Sequence, residues 1–134
     1  MTTNVLFLCP HSAGKSLAAA TYLRSAAARA GIDVDIAVAG TDPDAVNMPT
    51  VVDALSAQGF RIDWQPRLVT EADTAAADHV VSIGCDHDAV PTTSPIVEWD
   101  VPLISIDLLG SLDAIHHRCE ELATRLAEQA PDSP

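Results

Sequence analysis

Residues Val5–Ser16 read VLFLCPHSAGKS. Four apolar residues end at Cys9, a short loop follows, and the loop closes on Gly14-Lys15-Ser16, where an alanine-rich segment begins. A continuous apolar run this short suits a central parallel strand covered on both faces. Strand, loop and helix in that order set Cys9 at a strand's carboxyl end, beside a helix N-terminus. Ligands of open α/β sheets bind at such ends, next to a topological switch point.

The same pattern continues outward. Lys15 to Ala30 carries Leu17, Tyr22, Leu23 and Ala27 near helical spacing and stops at Gly31, a residue suited to the position after a helix. Val34–Val38 predicts a second strand, followed by the turn-rich loop AGTDPDAVNMP. Pro49–Gln58 predicts a helix that closes at Gly59. His79–Ile83 predicts a third, buried strand running into GCDHD, and Ile96–Trp99 a fourth. Leu108–Gln129 places Leu112, Ile115, Cys119, Leu122 and Leu126 on one stripe, as a closing helix would. The tail Ala130–Pro134 is expected to fray. Strands separated by helices imply an α/β fold with a mostly parallel sheet, and the length suits a single domain over residues 1–134.

Bulk properties narrow the function. The chain is 48% apolar, a globular composition. No apolar run reaches the roughly 18 residues of a membrane helix, and no basic segment precedes the first strand, so neither a membrane nor a signal peptide is expected and a cytoplasmic location is the default. A formal charge of −12 argues against a nucleic-acid partner, whose phosphates would be repelled. Any anion site must then be local, built from backbone N–H groups and a cation. The cysteines Cys9, Cys85 and Cys119 are odd in number and widely spaced, unlike a disulfide framework. No Cys/His spacing suits zinc, and adjacent His116 and His117 point in different directions on a helix, so no metal and no bound cofactor are expected.

Two chemistries compete for the loop. Gly14-Lys15-Ser16 matches the end of a Walker A motif, with Asp86 as a conceivable partner acid, but the first glycine of that motif falls on Cys9. The thiolate reading uses every part. A five-residue loop can wrap amides around a tetrahedral anion, the helix N-terminus adds partial positive charge, and Ser16 can donate to the sulfur. Both fields favour the thiolate, the nucleophilic form of cysteine. The oxyanion-binding set is then Pro10, His11, Ser12, Ala13, Gly14, Lys15 and Ser16. His11 either supports the thiolate or is simply solvated. Tyr22, Trp64 and Trp99 read as packing residues, Asp78 as a turn or cap, and Asp42–Asp44 and Glu120–Glu121 as solvated surface.

Cys9–Ser16 resembles the C-x5-R-S loop of the low-molecular-weight protein tyrosine phosphatases and the arsenate reductases that share their fold. VAGTDPDAVNMPTVVDALSAQGFRI resembles that family's S-A-G-T segment and following helix, PRLVTEADTAAADHVVSIGCD its approach to M-G-C, and EWDVP its approach to the acid loop. The resemblance implies a three-layer sandwich with a four-stranded parallel sheet, Cys9 as nucleophile and Lys15 in the place of the arginine. It implies Cys85 as a resolving cysteine if the protein is a reductase; the alternative is a half-buried strand-end residue. Lys15 keeps the charge of arginine and loses its two-pronged grip. The general acid of the phosphatases falls on Leu103 and the next proline on Ile104, leaving Asp100 or Asp107 as substitute acids. The second resolving cysteine of thioredoxin-coupled reductases is absent, with Ala89 and Val90 nearby, and Cys119 reads as buried.

Three functions follow from the resemblance. The first is arsenate reduction through Cys9 and Cys85, drawing on an external thiol reductant, thioredoxin or a low-molecular-weight thiol, as redox partner. The second is hydrolysis of a phosphate ester such as phosphotyrosine. The third is oxyanion binding without catalysis.

Overall fold

In the computed structural model, residues 2–92 and 94–129 are described, so the expected fraying of Ala130–Pro134 lies outside the described residues. The elements run β1 (Thr3–Leu8), α1 (Lys15–Ala30), β2 (Val34–Ala39), α2 (Pro49–Ala57), α3 (Glu71–Ala76), β3 (His79–Ser82), β4 (Ile96–Glu98) and α4 (Leu108–Gln129). A single 3-10 turn covers His87–Ala89. The strands form one parallel sheet in the order β2-β1-β3-β4.

Alternation along β1 builds a core on each face of the sheet. Val5, Phe7 and Cys9 join α1, α2 and α4 in the larger core, through Leu17, Leu23, Val51, Leu55, Ile115 and Cys119. Leu6 and Leu8 face the other way, with Val69, Val80, Cys85 and Val90. The α4 stripe of Leu112, Ile115, Cys119, Leu122 and Leu126 is buried as its spacing predicts. Gly31 ends α1 in the left-handed conformation, its amide bonded to the carbonyls of Ala27 and Ala28. The aromatic residues pack: Trp99 lies 5.5 Å from Phe7, Tyr22 is stacked 4.6 Å from His116, and Trp64 donates its indole N–H to the Ile36 carbonyl. Asp78 accepts the Asn4 amide at 2.8 Å and latches the start of β1. Among the described residues no helix is long and apolar enough to cross a membrane.

β1 occupies the second position in the sheet, with β2 on one side and β3 on the other. The chain leaves β1 to reach β2 and must return across β1 to reach β3. That reversal puts the topological switch point, where ligands of open α/β sheets bind, beside the carboxyl end of β1, where Cys9 stands.

Candidate active site

Cys9 follows β1 directly and is 3% exposed. Its sulfur lies 3.0 Å from the Ser16 hydroxyl and accepts the Ser16 amide at 3.5 Å. Ser16 is the second residue of α1, so both contacts come from the first turn of a sixteen-residue helix. The first-turn amides have no acceptor within the helix, and the partial positive charge there favours an anion. A hydrogen bond to a charged group contributes about 1.5–3 kcal/mol.

The loop's amides are aimed by what holds its carbonyls. Pro10, His11 and Ala13 each give their carbonyl to an amide outside the loop: Asp42 at 2.7 Å, Asp44 at 2.9 Å and Met48 at 2.9 Å. In a planar trans peptide the N–H points opposite to the C=O. Carbonyls drawn outward therefore turn the His11 and Gly14 amides inward. The Ser12 amide instead donates to the Cys9 carbonyl at 3.3 Å, on the Gly40 side of the loop. Pro10 has no amide hydrogen and contributes only its carbonyl, so it frames the loop and is not one of the donors. Ser12 has φ +55, a left-handed conformation that costs a side-chain-bearing residue roughly 1–2 kcal/mol. Its hydroxyl accepts the Arg67 amide at 3.4 Å. Gly40 lets this support approach: a Cβ there would stand 2.6 Å from the Cys9 carbonyl oxygen and 2.7 Å from that of Pro10.

Lys15 opens α1, and its ammonium rests against Gly84, where an added Cβ would lie 2.9 Å from Nζ. No carboxylate pairs with it among the described residues. Gly84 has φ +89, which glycine adopts without strain. The next residue is Cys85, 8% exposed. Burial pushes the Cys85 thiol up to about 11, and charge on the nearby Cys9 sulfur pushes the same way, while Ser82 and Thr41 act against both. Lys15 thus lies against the residue that precedes Cys85, while Cys9 and Cys85 join the cores on opposite faces of the sheet. Cys119 is elsewhere: it is fully buried, donates to the Ala19 carbonyl at 3.3 Å, and burial drives its thiol far above the ordinary range.

The acid candidates fare differently. The Asp107 carboxylate accepts the Gly110 amide at 2.9 Å and caps α4. Asp100 is exposed, with no hydrogen bond to the loop. Leu103 is 53% exposed, and Ile104 covers the loop, its Cδ1 3.1 Å from where a Gly14 Cβ would stand. His11 is exposed, its Nδ1 3.1 Å from the Asp42 carbonyl and 3.4 Å from the Asp44 carboxylate. Asp42–Asp44 is therefore more than the solvated surface expected from its composition: its amides brace the loop. An open surface cavity of about 450 Å³, lined by Glu71, Thr74, Ala75, Pro91, Thr92 and Ser94, includes no loop residue. Among the described residues no group of three or more His, Cys, Asp or Glu side chains is placed to hold a metal ion.

Sheet order and loop define a class of α/β proteins that set a cysteine over main-chain donors at a helix N-terminus. The chain belongs to the low-molecular-weight phosphotyrosine protein phosphatase family, whose model matches residues 4–94. It is 27% identical to a Corynebacterium glutamicum thioredoxin-dependent arsenate reductase, with a TM-score of 0.78 over 96% of this chain. This chain spans 63% of that reductase's length. YfkJ from Bacillus subtilis aligns at TM-score 0.83 and 20% identity, over 97% of this chain and 98% of its own. A protein tyrosine phosphatase from Entamoeba histolytica aligns at 0.77 and 17%, over 95% of this chain and 98% of its own. The last two likenesses concern the fold. The named reductase and phosphatase are both enzymes. No curated protein matches the chain.

Proposed function

We propose that the protein reduces arsenate to arsenite with Cys9 as nucleophile and Cys85 as resolving thiol. What supports this reading is a second buried cysteine just beyond the carboxyl end of β3, the strand next to β1, and adjacent to the glycine that Lys15 rests against, together with an exposed leucine at position 103. Cys9 attacks arsenic as the thiolate and an arsenate oxygen leaves as water. The inward amides, Lys15 and the α1 N-terminus hold the remaining oxygens. Cys85 then attacks the Cys9 sulfur. The sulfur–arsenic bond breaks, its electron pair stays on arsenic as arsenite, and a Cys9–Cys85 disulfide forms. An external thiol reductant returns two electrons.

Charge works in favour of this order. Charge on Cys9 adds to burial in raising the Cys85 thiol; bonding Cys9 to arsenic moves that charge off the sulfur onto arsenate oxygens held by loop amides and Lys15, which eases ionisation of Cys85 at the step that needs it. Loss of the acid at 103 matters less here than in ester hydrolysis, where a phenoxide or alkoxide leaving group needs a proton.

The test incubates the protein with arsenate and a thiol reductant, and separately with an aryl phosphate, and follows arsenite and phosphate. Arsenite release lost in both Cys9→Ser and Cys85→Ser supports reduction. Phosphate release that needs Cys9 alone replaces this reading with hydrolysis. Neither product, with measurable oxyanion binding, replaces it with a binding protein.

A further inference from the structure

An arginine orients itself on an oxyanion through its planar fork. A lysine is a point charge on a flexible stem and has to be aimed by its surroundings. What borders the Lys15 ammonium is therefore part of the site. No carboxylate pairs with it among the described residues. It lies instead against the Gly84 backbone, where an added Cβ would stand 2.9 Å from Nζ and 3.9 Å from Cδ of Pro10, the residue after Cys9. The turn at Gly84 thus closes on the loop's cation and on the loop itself. Two side chains hold that turn. Glu98 accepts the Gly84 amide at 2.8 Å, and the Ser82 hydroxyl accepts the Cys85 amide at 3.1 Å. Ser82 and Glu98 are register partners on β3 and β4, so their side chains share one face of the sheet. The Trp99 amide, donating to the Ser82 carbonyl at 2.8 Å, ties the end of β4 to β3. His87 Nε2 lies 2.7 Å from the other Glu98 oxygen.

We propose that Glu98 is a positioning residue for the oxyanion site: by holding the Gly84 amide it keeps the turn against Lys15 and so directs the ammonium at the anion loop. The inference deepens the proposed function and rests on it only in taking Lys15 as the anion's cation. Glu98 acts through Gly84 and not by pairing with Lys15, because its two oxygens are engaged by the Gly84 amide and His87. The ammonium therefore keeps its charge for the anion. Without the turn as a wall, the Lys15 stem would regain rotamers, and ordering them again on the anion would cost affinity. This reverses the sign expected from charge alone. A carboxylate near an anion site repels the anion, and its removal by itself would tighten binding. Positioning predicts that removal weakens it.

The experiment is calorimetric titration with sulfate, which needs no turnover, on the native protein and on folded variants checked by thermal melts. Glu98→Ala is expected to weaken sulfate binding by roughly fivefold, the scale of one net hydrogen bond. Glu98→Asp keeps the charge, shortens the reach by one carbon and should weaken binding likewise. Glu98→Gln keeps an oxygen for the Gly84 amide, loses the charge and should bind at least as tightly as the native protein. In a Lys15→Ala background, Glu98→Ala should weaken binding no further, because both changes act through one contact. Glu98→Ala and Glu98→Asp proteins with native or tighter affinity overturn the proposal and leave Glu98 only its repulsion. Glu98→Gln as weak as Glu98→Ala overturns it, and so does equal weakening with and without Lys15, the sign of general damage to the loop. Native affinity in Lys15→Ala, or a native protein that binds no sulfate, removes the proposal together with the role of Lys15. Coupling between Glu98 and Lys15 in a protein that yields no arsenite keeps the proposal and removes the reductase reading alone.

Discussion

Replacing Gly84 with alanine tests how the loop's cation is aimed. The backbone at Gly84 has φ +89, where a side-chain-bearing residue is strained by roughly 1–2 kcal/mol. The added Cβ would also stand 2.9 Å from Lys15 Nζ, so the ammonium must retreat by about half an ångström to reach ordinary contact. For stability this retreat costs little, because Nζ ends a flexible chain. For the oxyanion it matters more: a hydrogen bond between charged groups contributes about 1.5–3 kcal/mol, equivalent to about 10- to 150-fold in affinity. Calorimetric titration with arsenate or sulfate, in native, Gly84→Ala, Lys15→Ala and doubly substituted proteins, reads this directly. Gly84→Ala is expected to weaken binding by at least tenfold, and the double variant to bind no more weakly than Lys15→Ala alone, because both changes remove one contact. A lowered melting temperature with anion affinity intact would refute the assignment of Lys15 to the anion.

Ser16→Ala removes the hydroxyl 3.0 Å from the Cys9 sulfur and should slow alkylation of Cys9 at neutral pH by tenfold or more, read by iodoacetamide labelling. Cys119→Ala should lower stability by about 1–2 kcal/mol through lost packing and leave the number of thiols consumed per arsenate unchanged, checked by urea melts and thiol titration. The Arg67 guanidinium holds the Asp73 carboxyl below its usual value, aided by bonds from Thr70 and opposed by burial. A depressed carboxylate stabilises the fold above its unfolded value of about 3.9, and that share is lost as pH falls through the lower, folded value. Urea melts at pH 6 and pH 2.5 should show a larger acid loss in the native protein than in Arg67→Gln.

The three long helices and all four strands were legible because their signals are local: apolar runs, a 3.6-residue stripe, and glycine at Gly31 and Gly59. Helix α3 was not, being six residues of EADTAA without an apolar stripe. It forms through a capping box, with the Thr70 hydroxyl accepting the Asp73 amide and the Asp73 carboxylate accepting the Thr70 amide. That pair was present in the sequence as Thr-x-x-Asp, a sign read most easily before an apolar run. Cys9 and Ser16 were legible because loop and helix adjoin in sequence. Asp42 and Asp44 contribute backbone amides, and composition reports only side chains, so their support of the loop was hidden. Ser82 and Glu98 meet through strand register, which links residues sixteen apart and has no local mark.

The outward straps from Asp42, Asp44 and Met48 lie beyond β2, and Gly40 bonds Arg67 and Val69 further along the chain. The anion cradle is consequently a product of distant segments meeting, and cannot assemble from Cys9–Ser16 alone. Competence should switch on and off with the cooperative transition of the whole sheet, leaving no partly folded form able to hold arsenate or sulfate.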